Sequence, residues 1–84
     1  MPEEQIGKIT HYFGKIDVGI IELTASFKVG DTIRIKGHST DFTQIVTSMQ
    51  IEHDDAQEAQ AGDSIGIKVD RRVHEHDIVY KVTQ

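Results

Sequence analysis

Apolar residues along the chain fall mostly at alternate positions or in short runs of Val and Ile, and Gly or Asp punctuates them at short intervals. This is the pattern of short strands, whose successive side chains point to opposite faces. It predicts strands over residues 5–13, 16–23, 32–37, 43–53, 64–69 and 78–82. In "TIRIK" the alternation turns Ile33 and Ile35 inward and Arg34 and Lys36 outward. In "SIGIKV" it buries Ile65, Ile67 and Val69, with Met49 in the same core, and leaves Lys68 outside. The alternation breaks between Val46 and Met49, which predicts a bulge near Thr47 and Ser48. One helical turn is predicted over residues 55–61, where Asp55 can cap, Glu58 follows three residues on and Gly62 supplies a left-handed stop. Strands at this spacing with so little helix predict an all-β domain. Such a domain is a small barrel or a sandwich, and because closing a barrel removes edges that invite aggregation, a closed antiparallel barrel is the expectation.

Two stretches read almost alike: "VGDTIRIK" (29–36) and "AGDSIGIK" (61–68). Gly30 and Gly62 each sit where the chain must turn sharply, and Asp31 and Asp63 can bond the backbone to fix the entry into the next strand. A phosphate-binding loop would end in Gly-Lys-Ser/Thr and lead into a helix, which neither stretch does. The flanks do not repeat, so the chain is not a duplicated domain. "EHDIVYK" (75–81) reads as a third, degenerate use of the same turn.

At 84 residues the chain has room for one domain, 1–84, and a domain of that size buries about 60 to 65% of its unfolded surface. No apolar run is long enough to cross a bilayer, and "MPEEQIGK" is acidic where a secretion signal would be basic and then apolar. A cytoplasmic monomer is the expectation. The absence of cysteine removes disulfides, thiolate metal sites and thiol catalysis. A net charge of -5 argues against general phosphate neutralisation, so any RNA contact must be local. The acids cluster in "EHDDAQE" (52–58) and "MPEE", which leaves room for a basic face elsewhere. That face would comprise Arg34, Lys36 and Lys68 on strands, with Arg71 and Arg72 at a strand end. The few aromatics, Tyr12, Phe13, Phe27, Phe42 and Tyr80, should mostly be core, with Tyr12 the best candidate for exposure. His74 and His76 share one side of a possible strand, and His53, Asp54 and Asp55 carry ligand-type side chains. A zinc site would need three or four convergent ligands, so no metal is expected. Ser, His and Asp are present without a G-x-S-x-G elbow, and a packed barrel leaves little pocket, so no enzyme and no cofactor are expected.

"GKIT", "GIIELTASFKVGDTIRIKG" and "VTSMQIEHDDAQEAQAGDSIGIKV", in that order and spacing, resemble the second domain of translational GTPases such as elongation factor Tu. "GHSTDFTQ" with "SMQIEH" resembles the small translation elongation factor-like proteins and the barrel at the C-terminus of the collagenase-like peptidase family. The resemblance covers nearly the whole chain and implies the closed six-stranded barrel. It implies contact with tRNA or ribosomal RNA, with Glu58 the one plausible contact among the shared residues Glu58, Ala61, Gly62, Asp63 and Gly66, and it makes Gly30 and Asp31 architectural. There is no P-loop or switch region, so GTP binding does not carry over to this chain alone. Two functions follow: an accessory RNA-binding module of protein biosynthesis at the ribosome, or an adaptor barrel docking onto a partner enzyme such as a peptidase-like protein.

Overall fold

The alternating pattern becomes ten strands in the computed structural model of the chain, which describes residues 3–51 and 54–82. They are β1 (Glu3–Phe13), β2 (Val18–Leu23), β3 (Phe27–Lys28), β4 (Thr32–Lys36), β5 (Asp41–Ile45), β6 (Met49–Ile51), β7 (Asp54–Ala56), β8 (Glu58–Ala59), β9 (Ser64–Lys68) and β10 (Ile78–Val82). Eight of them form one antiparallel sheet in the order β5-β4-β10-β1-β2-β9-β6-β7, and β3 pairs with β8 in a separate ribbon. The domain is all-β.

Two expectations are corrected. The segment 55–61 is not a helical turn: Asp54–Ala56 pairs with β6 and Glu58–Ala59 with β3, because Ala56 and Ala59 are drawn toward the core and extended backbone places both there. Nor do backbone ladders close a six-stranded ring. Among the described residues β5 and β7 remain the two ends of the sheet. One end is short and carries exposed Asp54 and Asp55, a composition that discourages further pairing. At the other end a side chain replaces the ladder. The Gln44 amide on β5 donates to the Lys68 carbonyl (2.9 Å) and accepts from the Asp70 N–H (2.9 Å), tying the edge strand to the chain leaving β9. The expected strand 43–53 is split where the bulge was expected, between β5 and β6, and its last two positions, Glu52 and His53, lie outside the described residues.

The two similar stretches and the degenerate third perform one task. Gly30 and Gly62 have φ of +100° and +96°, and His76 holds the equivalent place at +74°. The Asp that follows each accepts a bond on Oδ2 from the N–H three residues back: Lys28 (3.1 Å), Gln60 (2.9 Å) and His74 (2.9 Å). Each turn then clamps one apolar residue from elsewhere. Gly30 N–H donates to the Val46 carbonyl and Val46 N–H to the Asp31 carbonyl; the same exchange joins Gly62 and Asp63 to Leu23, and His76 and Asp77 to Ile9. The clamped residues are all buried, which is why a turn at the surface can fix the core.

That core comprises Ile6, Ile9, Ile21, Leu23, Phe27 and the inward residues of β4, β6, β9 and β10. Ile33, Ile35, Met49, Ile65, Ile67 and Val69 all face it at 3% exposure or less. Among the aromatics Phe27 is buried, but Phe13 rather than Tyr12 is the exposed one, at 48%. It ends β1 just before a reversal, where no strand lies over it.

Replacing Ile67 by Ala empties a space that the neighbouring strands cannot fill, and should lower the stability measured by urea unfolding by about 2 to 4 kcal/mol. At Gly62 nothing lies within 4 Å of an added Cβ, so Gly62→Ala tests conformation alone and should cost about 1 kcal/mol. His76→Gly in the same assay should leave stability unchanged or raised, because it relieves a left-handed histidine of similar cost. A loss on His76→Gly equal to that of Gly62→Ala would show that the φ of the turn does not limit stability.

Candidate docking face on the outer sheet

The outward residues of β1, β2, β9 and β6 form rows across the sheet. Phe13 stands beside Val18 and Lys68; His11 stands beside Ile20, then Gly66, Gln50 and Asp55. Alternation normally puts polar side chains on such a face. Here it places Phe13, Val18 and Ile20 there. The β1–β2 reversal adds Ile16, which is 61% exposed. That reversal is held by the Tyr12 hydroxyl donating to Asp17 Oδ1 (3.3 Å) and by the Val69 N–H donating to the Asp17 carbonyl (2.8 Å), with Asp17 at φ +56°. Burial, and then the charge and hydrogen bond of Asp17, push the Tyr12 phenol up from its ordinary pKa, while Arg72 acts the other way.

Gly66 is the outward residue in the middle of β9. A Cβ there would stand 3.3 Å from Ile20 Cδ1 and 3.4 Å from Val18 Cγ1, so the two aliphatic side chains lean over the glycine. The result is an apolar groove of about 230 Å³ bordered by Phe13, Ile16, Val18, Ile20 and Gln50. His11 stacks on Phe13 with ring centroids 6.0 Å apart and supports one wall.

The residues singled out from sequence stand in different surroundings. Arg34 is held by Asp41 through two bonds of 2.8 Å and by Glu3 at 3.1 Å. These bonds raise the Arg34 pKa and lower that of Asp41, and the charge of Arg34 is matched at home. Lys36 faces Asp41 across the β4–β5 ladder, and Glu58 faces Lys28 across the ribbon. Glu58 lines a separate polar depression with Asp31 and Lys81, which are themselves 3.4 Å apart. Lys8 stands opposite Glu22. Among the described residues only Arg34 and Lys81, of the lysines and arginines, have a carboxylate at ion-pair distance; Lys8, Lys28 and Lys36 have an acid opposite in a ladder, and Lys15, Lys68, Arg71 and Arg72 have neither. Lys15 lies in the reversal, Lys68 beside Val18, and the charge of Arg72 is felt at Tyr12. Lys15 and Lys68 therefore stand beside the reversal that borders the apolar groove. The groove escaped the sequence reading because Phe13 and Ile16 were given to strands and core; their position on either side of "GK" was the available signal.

Thr40, His74 and Asp77 come together without building a nucleophile. Thr40 Oγ1 and Asp77 Oδ2 both approach the same ring nitrogen, His74 Nδ1, at 3.1 and 3.9 Å. Activation of a hydroxyl needs the carboxylate and the hydroxyl on opposite nitrogens. Gly30, Asp31, Gly62 and Asp63 belong to the clamps described above. Among the described residues no three His, Asp or Glu side chains converge as metal ligands would, and His53 lies outside them. No helix of the structure is long and apolar enough to cross a membrane.

Comparison with known proteins places this architecture. No protein-family model matches the chain. The chain is 40% identical over 77 residues to the uncharacterized protease MJ0090 of Methanocaldococcus jannaschii, a match that takes in 90% of the chain but only 19% of the relative. The chain thus spans about a fifth of the length of that relative. Its fold is that of the C-terminal domain of a protein assigned as a U32 peptidase in Geobacillus thermoleovorans. The crystal structure of that domain superimposes with a TM-score of 0.89 at 19% identity, covering 95% of this chain and 93% of that one. A selenomethionine variant of the same domain gives 0.86 at 19% identity, with 90% and 96% covered. The peptidase side of the resemblance is thereby supported.

Proposed function

We propose that the chain is a non-catalytic, barrel-like docking module of a peptidase-like protein. The observation that carries this reading is the 40% identity over 77 residues to a protease of which the matching segment forms 19%. A likeness that spans so small a share of a protease points to an accessory domain. The local geometry favours the same reading, since the trio at His74 lacks the arrangement of a nucleophile and an apolar groove lies open on the outer sheet.

RNA binding has less to draw on. The cations that would carry it include Arg34 and Lys36, and both face carboxylates within the fold.

The test is calorimetric titration of this chain into the catalytic body of a peptidase-like protein of the same organism, expressed without its own equivalent of this domain. Binding should appear with a dissociation constant of about 1 to 10 µM and change little between about 50 and 300 mM salt. The chain alone should leave labelled casein intact. Hydrolysis by the chain alone would overturn the proposal. So would failure to bind that body together with tight tRNA binding whose log affinity falls against log salt with a slope of about -2 to -4, the mark of three to five neutralised phosphates.

A further inference from the structure

We propose that the groove between the β1–β2 reversal and Gly66 receives an extended polypeptide segment of the peptidase-like partner, one that presents a large apolar side chain next to carboxylates. This deepens the docking reading above and rests on it for the identity of the partner.

Three observations select that occupant. Two of the large apolar residues most exposed to water, Phe13 and Ile16, border one groove rather than being scattered, and a clustered apolar surface marks a contact. Gly66 places no side chain between Ile20 and Gln50 in its row, which leaves the groove they border open to an incoming side chain. Two cations beside it lack an ion pair. Asp17 is engaged by Tyr12 and Asp55 by Gln50, whereas Lys15 in the reversal and Lys68 beside Val18 have no ion-pair partner among the described residues. In a domain of net charge -5, such cations beside an apolar groove complement an acidic-apolar ligand.

A nucleic acid would suit these features less well. Bases stack on flat aromatic faces, but Phe13 is already stacked by His11 on one side, and among the described residues no other aromatic side chain lines the groove. A second copy of the chain would bring the same cations against each other across a two-fold axis, which like charges oppose.

The experiment follows the amide spectrum of the isotope-labelled chain as two six-residue peptides are added. Both carry Leu-Phe at the centre; one is flanked by aspartates and the other by lysines. The aspartate peptide should bind with a dissociation constant of about 0.1 mM, an affinity accessible to one short segment. Its shifts should be confined to residues 13–20 and 64–68, and the lysine peptide should bind at least about tenfold more weakly. Ile16→Asp and Lys68→Glu, each melting with the wild type in circular dichroism, should each weaken the aspartate peptide by about fivefold or more.

Equal binding of the two peptides, or shifts centred on the Glu58–Lys81 depression, would overturn the proposal. A ten-nucleotide RNA that displaces the peptide with higher affinity would also overturn it, as would a wild-type dimer in sedimentation that Ile16→Asp dissociates. The same two variants titrated against the peptidase-like body separate this inference from the docking reading. If they bind the body as the wild type does, the groove is wrong and docking stands. If the wild type ignores the body but binds the aspartate peptide in the groove, the site is right and the partner is another polypeptide.

Discussion

A reciprocal pair of backbone hydrogen bonds, made three times, organises the domain. In each case a residue with left-handed φ donates to the carbonyl of a buried apolar residue, and that residue's N–H returns a bond to the following Asp. The Asp carboxylate meanwhile satisfies the N–H three positions back, so a sharp surface turn leaves no orphan donor at its centre. Because Val46, Leu23 and Ile9 are clamped from outside and buried from inside, the register of β4, β9 and β10 is set as each strand begins. A slip by one residue would exchange inward isoleucines for outward lysines. Local and tertiary requirements meet at the same few residues.

Much of this was legible. "VGD" and "AGD" announce the turn because few residues besides Gly accept the φ and Asp has a carboxylate short enough to reach back three residues. The inward faces of β4 and β9 follow from period two. What the residues could not convey is how the sheet ends. A pattern of alternation cannot distinguish a ring closed by ladders from an open sheet whose edge strand is tied down by a buried Gln44, since both need the same inward isoleucines. The segment at 55–61 misled for a physical reason as well. Capping residues at three-residue spacing also suit extended strands when two alanines between them can be buried.

The basic face was harder to read because charge is neutralised by partners distant in sequence. Arg34 is a free cation in the sequence and a matched one in the fold, where Glu3, 31 residues away, and Asp41 both bind it. Lys15 carried no signal of its own. It becomes notable only once the other lysines have found acids across their ladders. Ion pairing takes up Arg34 and Lys81, register sets Lys8, Lys28 and Lys36 opposite acids, and among the described residues Lys15 and Lys68 are left beside the β1–β2 reversal with neither.

The groove and the clamps make different demands on glycine, and this explains how one small sheet can hold both. At Gly30 and Gly62 the backbone angle is the requirement, and the space beyond is empty. At Gly66 the backbone is an ordinary strand, where glycine weakens the ladder through the entropy it loses, and a Cβ there would stand 3.3 Å from Ile20 Cδ1 and 3.4 Å from Val18 Cγ1. Folding alone gains nothing from leaving two aliphatic side chains and Phe13 on the wet face of the sheet. A side chain at Gly66 would fill the groove and cover those residues with the chain's own atoms. Its absence keeps apolar surface open to an outside partner while the three clamps, whose turns line no part of the groove, hold the strands beneath it in register.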